Sequence, residues 1–492
     1  MSLQSCRQDP AQQHPIGTWR SYPSYNGSVS IATNGTRIFA ASDQSFFVFN
    51  VSQDEMVPYS KSGGMADVGV SFVDYDQTTG TTIIVYTNTN IDLFKDETFF
   101  NIPDIKNRSI TGLKRINGIY TENGLSYLAT SFGIIVVNLA KKEIKETYSF
   151  VENSQNIEVM ALSATSNELF AVTPKGVYKA NKNNLNLQAF SSWQLIVAKT
   201  NLKDLCTFND TVIVQTTDTA LGDSLFAINN NALSFIYRSD IEITGIDSQA
   251  KALFVSEYRP LNFNGRVRKL DNNYQIIDSF NTFGKPLQVK VLLDSSTWVA
   301  DANAGLARRE WVLASTIRNP QGPVDPGGFD IYAHNGELWV AHGSVNDNWS
   351  PQFTKAGVSH FKDGKWNAYN EQVYRDSLNG VSDFISIAVD PADKTMYAAS
   401  FRSGVLIVKA DGSYELKKEN SVFEPTIGDL GSYRVGGVTV DQGGNTWFTM
   451  AGTVHDLAVK TKSGEYFKYT GAGAGLYAAY PIVDDYNQKW YL

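Results

Sequence analysis

Short apolar runs recur along this chain, each ended by a polar turn of Asn, Asp or Gly. From Ser28 onward they group into units. An apolar strand meets a turn, a second strand ends in small residues, a third follows, and a more charged or aromatic fourth closes the unit. Ile31-Ala-Thr-Asn-Gly-Thr-Arg-Ile-Phe-Ala-Ala-Ser, then Phe46-Phe-Val-Phe-Asn and Glu55-Met-Val-Pro-Tyr, make the first copy. Val70-Ser-Phe-Val-Asp-Tyr-Asp opens the second, and further copies open near Gly112, Ile157, Leu202, Ile241 and Leu287. A spacing of about 40–45 residues is that of β-propeller blades. Runs rich in Val, Ile, Phe and Tyr, bounded by Asn-Gly and Asp-Gly, read as strands and hairpins rather than helices. One four-stranded sheet cannot bury both its faces, whereas sheets packed radially can.

The expected fold is therefore all-β: a seven-bladed β-propeller followed by a second, truncated β-propeller. Residues 1–16 read as a flexible leader, 17–311 as the first ring, 312–327 as a linker with Pro and Gly, and 328–492 as three to four blades of a second ring. The seventh unit shows three strands, so Gly17-Thr-Trp-Arg-Ser-Tyr22 is expected to supply the fourth and clasp the ring, with Trp19 beside the strand containing Leu306. The pattern resumes at Phe329 and repeats at Phe384 and Val438. Ile482 to Leu492 gives only the first half of another unit. Such an end leaves an apolar edge, so more chain is expected to follow.

Composition narrows the function. Of 492 residues 42% are hydrophobic, a globular proportion, and the net charge of −8 argues against nucleic acid as partner. No run is long and apolar enough for a transmembrane helix. Two cysteines form no disulfide framework or zinc set. Cys206, in an alternating strand, reads as a small buried hydrophobe. Cys6 follows Leu3-Gln-Ser, similar to a lipoprotein cleavage box, though without the apolar segment that should precede it.

No catalytic, cofactor or metal constellation is expected. His334 and His342 flank a hairpin and could meet, but with His360 they lack partners at zinc spacing; His14 falls in the leader and His455 in a loop. Asp74-Tyr-Asp-Gln-Thr-Thr-Gly80 has the look of a calcium loop without its bidentate Glu, and reads as hairpin-turn chemistry. Asp390, Asp441 and Asp484 recur where first strands end and read as turn caps. Distant acids could still converge on a central channel. One blade carries an insertion between Val340 and Gly357. Its Trp349 and Phe353, in a polar loop, either pack on a neighbouring domain or meet a ligand or partner. His342, Asn348, Trp349 and Phe353 are the candidate binding residues.

Gly17-Thr-Trp-Arg-Ser-Tyr, Gly64-Met-Ala-Asp-Val-Gly-Val-Ser, Asp74-Tyr-Asp and Asn90-Ile-Asp-Leu, taken in order, resemble the N-terminal propeller of the PorZ family. That family belongs to the type IX secretion system of Bacteroidetes. Asn335-Gly-Glu-Leu-Trp-Val-Ala-His-Gly, Asn348-Trp and Gly357-Val-Ser-His-Phe-Lys-Asp-Gly-Lys-Trp resemble its second propeller. The resemblance implies an exported protein of the periplasm or the outer-membrane-associated cell surface. It implies a non-catalytic role in the attachment complex, with anionic lipopolysaccharide, a PorU-like sortase, PorV and PorQ as partners. Two departures stand out: no signal peptide is visible, and the family's C-terminal sorting domain would lie past Leu492. The sensor regions of hybrid two-component kinases, also double propellers with similar repeats, are the alternative, in which the chain would sense a periplasmic ligand.

Overall fold

The computed structural model describes residues 19–492 apart from 111, 219, 221, 250, 261–263, 311–314 and 472–477. Cys6 and His14 lie outside the described residues. The chain divides into two compact units at Pro320/Gln321.

The first unit holds seven four-stranded antiparallel sheets, each paired in sequence order. Their first strands are Ser28–Thr33, Val70–Asp76, Ile116–Glu122, Ala161–Ala164, Leu202–Phe208, Glu242–Gln249 and Pro286–Val291. Each first strand contacts the next, and the seventh meets the first, so the sheets form a closed ring with these strands innermost. We number the sheets as blades 1–7. Second strands such as Thr81–Tyr86 are buried at every position, whereas outer strands such as Glu55–Tyr59 are mostly open to solvent. Burial on both faces explains why the second strands read as continuous apolar runs, not alternating ones.

The core is a series of separate clusters, each filling the gap between two blades. Phe39, Phe46 and Val48 of blade 1 face Val73, Ile84 and Phe94 of blade 2, and the pattern continues around the ring. At the last gap Trp298, Ala300 and Leu306 of blade 7 pack on Ile31, Ile38, Phe47 and Phe49 of blade 1, with Tyr25 at the margin. The Trp298 and Phe49 rings meet edge to face at 5.2 Å. Because innermost strands of adjacent blades belong to separate sheets, side chains make the hydrogen bonds that a ladder would supply. The Gln288 Oε1 accepts from the Ile31 N–H at 2.8 Å, and the Asp247 Oδ2 accepts from the Val289 N–H at 2.9 Å.

The expected clasp by residues 17–22 is not what closes this ring. Blade 7 takes its fourth strand from Ser315–Ile317, paired with Ala307–Arg309, inside the stretch read as a linker. Among the described residues of the proposed clasp, 19–22 form no strand, and Trp19 is 86% exposed. A strand that folds back directly after its partner closes a short loop, which costs less entropy than recruiting one from the far end of the ring.

The second unit, Gln321 onward, contains blades 8–10. They begin with Asp330–His334, Phe384–Val389 and Val435–Val440, and a two-stranded sheet of Ile482–Val483 and Lys489–Trp490 follows. Their first strands are again sequential neighbours. The Asp330 Oδ2 accepts from the Ile387 N–H at 2.7 Å, repeating the side-chain bridge of the first ring.

Closure through packing makes a direct prediction. Trp298→Ala, at a fully buried site, should cost about 3–5 kcal/mol of unfolding free energy. Trp19→Ala should stay within about 0.5 kcal/mol. Denaturant unfolding of the two variants checks this. Equal losses would restore the terminal clasp.

Candidate functional site

The insertion of blade 8 leaves strand Glu337–Ala341 and returns at Val358–Lys362. It is held by one carboxylate. The side chain of Asp383, fully buried, accepts the Phe353 N–H at 2.9 Å and the Thr354 N–H at 2.8 Å, while its own N–H donates to the Thr354 carbonyl. The Asn346 Oδ1 accepts the N–H groups of Asn348 and Ser350, tightening the loop's tip. Trp349 and Phe353 both sit in the left-handed region, at φ of 53° and 60°. Large side chains rarely adopt that conformation without support from their surroundings.

Trp349 packs within its own unit. Its ring lies 5.4 Å from Phe401 and 5.5 Å from Tyr480, above Ile385 and Ala451. Phe353 is 58% exposed, with the Arg402 guanidinium 4.7 Å from its ring centre. Asn348 is exposed beside them.

His342, just after strand Glu337–Ala341, is buried. Its Nδ1 faces the Gly327 carbonyl, which can only accept, so Nδ1 carries the proton. Nε2 then accepts from the Ser359 hydroxyl at 2.8 Å, and the Ser359 oxygen accepts the Val324 N–H. Burial holds the imidazole below its ordinary value, against the pull of the Gly327 carbonyl. His360 is likewise lowered by burial, opposed by Glu337 at 3.3 Å, and stacks on Trp339. His334 is at the opposite end of the hairpin from His342, pairing with Glu337, so those two histidines do not meet.

Asp390, Asp441 and Asp484 accept backbone N–H groups of the turns that follow them, as their recurrence suggested. Asp441 and Asp484 also each accept an indole N–H, from Trp447 and Trp490.

The expected turn at 74–80 separates into two roles. Asp76 caps the hairpin, accepting the Thr79 N–H and hydroxyl and the Gly124 N–H. Asp74 instead faces the axis of the first ring, where a cavity of about 690 Å³ is lined by all seven innermost strands. Asp204, Asp247, Lys203, Lys290 and Cys206 line it too. Cys206 is partly buried: it packs against the apolar cluster between blades 5 and 6, as a small hydrophobe would, and also borders the cavity. The Lys290 ammonium is 3.1 Å from the Asp247 carboxylate. Burial works against that ammonium, but Asp247 and Asp74 outweigh it and hold the group above its ordinary value. Burial pushes the Cys206 thiol up, which disfavours the thiolate.

Four of the lining residues share one register position. A bulge shifts pairing just before Phe72, Asp204, Gly245 and Gln288 in blades 2, 5, 6 and 7. Asp74, Cys206, Asp247 and Lys290 each stand two residues further on, at one equivalent position. Among the described residues no group of His, Cys, Asp or Glu is arranged to hold a metal, and no helix is long and apolar enough to cross a membrane.

Two predictions follow from the second unit. Asp383→Ala should cost about 2–4 kcal/mol, the loss of charge-assisted bonds at a buried site, and should speed hydrogen exchange across 344–357; unchanged exchange there would count against the clamp. Because burial lowers the folded pKa of His342 and His360, their contribution to stability is present above the unfolded value near 6.5 and is lost as pH falls through the folded values. Protection factors in strands Glu337–Ala341 and Val358–Lys362 should therefore drop between about pH 7 and pH 5.

Comparison with known proteins agrees with this architecture. Residues 38–194 match the family model of the N-terminal β-propeller domain of PorZ from the type IX secretion system. The fold is shared with PorZ, an essential bacterial surface component of that system in Porphyromonas gingivalis. The TM-score is 0.79 at 18% identity, covering 96% of this chain and 63% of that one. The present chain thus spans less than two thirds of that PorZ chain. The extracellular domain named for a hybrid two-component system of B. thetaiotaomicron is also similar, with a TM-score of 0.44 at 13% identity, covering 95% of this chain and 62% of that one. No curated protein sequence matches.

Proposed function

We propose that this PorZ-like chain is a non-catalytic component of a type IX secretion attachment complex, exported to the periplasm or the outer-membrane-associated surface. It binds anionic lipopolysaccharide, a PorU-like sortase, or both, and holds them in place without acting on them chemically. The observation that carries this reading is the match of residues 38–194 to the PorZ N-terminal propeller domain, set in a seven-bladed ring.

The partner-facing surface in this proposal is the end of the second unit from which Asn348 and Phe353 emerge. In a sheet paired in sequence order, the loops joining second to third strands and fourth strands to the next blade share one end. Phe353, Ile427, Leu430 and Val454 all lie in such loops and are exposed. Exposed apolar side chains gathered at one end are a common mark of protein or lipid contact. Trp349 acts from beneath, packing the loop that carries Phe353 on Phe401 and Tyr480, while His342 ties the strand end to Gly327 and Ser359.

Pull-down of the chain with anionic lipopolysaccharide and, separately, with the PorU-like sortase tests the role. Retention of at least one is expected, weakened roughly tenfold by Phe353→Ala as for an interface anchor. Binding of neither, together with saturable binding of a free oligosaccharide, would replace this reading with ligand sensing. Retention unaffected by Phe353→Ala would keep the role and move the surface elsewhere.

A further inference from the structure

Residues 19–320 contain no histidine, so any response of the first ring to mild acid must come from displaced carboxyl groups. The axial cavity gathers two of them, Asp74 and Asp204; a third carboxyl raised by burial, Asp301, caps a turn of blade 7. Blade 2 contributes Asp74, blade 5 Lys203 and Asp204, blade 6 Asp247 and blade 7 Lys290; blades 1, 3 and 4 place only uncharged side chains such as Ile31, Tyr120 and Ser163 on its wall. The Lys203 ammonium turns aside to Glu242, at 3.3 Å, and the Ile243 carbonyl, at 3.0 Å. Lys290 is drawn to Asp247, whose other oxygen accepts the Val289 N–H. Asp247 and Asp74 thus share the Lys290 ammonium, while the positive charge acting on Asp204 is that of Lys203, itself shared with Glu242. Asp204 has the Leu205 N–H as its hydrogen-bond donor, and the thiol of Cys206 beside it brings no positive charge.

We propose that this cavity is a proton-linked element, in which Asp204 takes up a proton on mild acidification beside the Asp247–Lys290 salt bridge. Like charges gathered on one cavity wall resist joint ionisation, because each raises the cost of charging the next. Burial, with Asp247 adding to it, pushes the Asp204 carboxyl up to about 6, and burial pushes Asp74 up despite Lys290. Proton uptake by Asp204 removes one of the negative charges that line the axis.

The sign is opposite to that of the buried histidines. A carboxyl with a raised folded pKa contributes stability that is full below its unfolded value and lost as pH rises through the folded one. Mild acid therefore tightens the first ring while it loosens the second unit, within one chain.

Hydrogen exchange of the whole chain, with intrinsic rates divided out, tests this. Protection in strands Val70–Asp76 and Leu202–Phe208 should rise several-fold from about pH 7 to pH 5. The ceiling is the roughly hundredfold proton-affinity ratio between a pKa of 3.8 and one of about 6. Asp204→Asn should show the higher protection already at neutral pH and lose most of the rise. Should that variant not fold, infrared titration of the wild-type carboxyls replaces it, with a protonation step near pH 6 expected. An identical rise in wild type and variant, or no carboxyl protonating above about pH 5, would overturn the proposal.

Discussion

The contact between Trp298 of blade 7 and Phe49 of blade 1 is the one on which the first ring depends. Each blade is a sheet with two apolar faces, and a row of six such interfaces would still leave two faces in water. The seventh interface removes both. It does so without a strand shared between the ends, through the packing of Trp298, Ala300 and Leu306 on Ile38, Phe47 and Phe49. The Gln288 Oε1 bonds to Ile31 and Ser30 supply the polar part of the seam. Closure is thus a matter of complementary shape and a few oriented polar groups, and it resembles every other interface in the ring.

The same geometry accounts for the charged axis. Innermost strands of adjacent blades share no ladder, so their edges need polar side chains as substitutes. Gln249, Asn117 and Asp247 serve in this way, as Asp330 and Ser386 do in the second unit. Once polar side chains are required there, carboxylates and lysines are tolerated, because the cavity they border is large enough to hold water. Position relative to the bulge then decides which of them face one another.

The inserted loop of blade 8 shows another use of a buried carboxylate. Asp383 gives up contact with water to hold two amides, and this fixes a loop in which Trp349 points inward and Phe353 outward. An aromatic kept in solvent by a rigid support is pre-organised for contact, with little ordering cost left to meet on binding. That is the physical content of placing the partner surface at this end.

The periodic strands, the Asn-Gly turns and the capping aspartates could all be read from the chain, because each depends on neighbours within a few residues. Strand Phe46–Asn50 lies where its apolar run placed it, and Asp441 caps the turn its position suggested. The insertion could be read as well, as a departure from the repeat. The clasp could not. Whether Gly17–Tyr22 or Ser315–Ile317 completes blade 7 is a comparison of two loop closures, and both segments have the composition of a strand. Nor could the cavity be read, since Asp74, Asp204, Asp247 and Lys290 are spread over more than two hundred residues and come together only when the ring closes. The sequence by itself determined the blades, because strand and turn propensities are local. The tertiary structure decided which segment closes the ring and which charges share its axis, because both depend on distances that exist only after the sheets have packed.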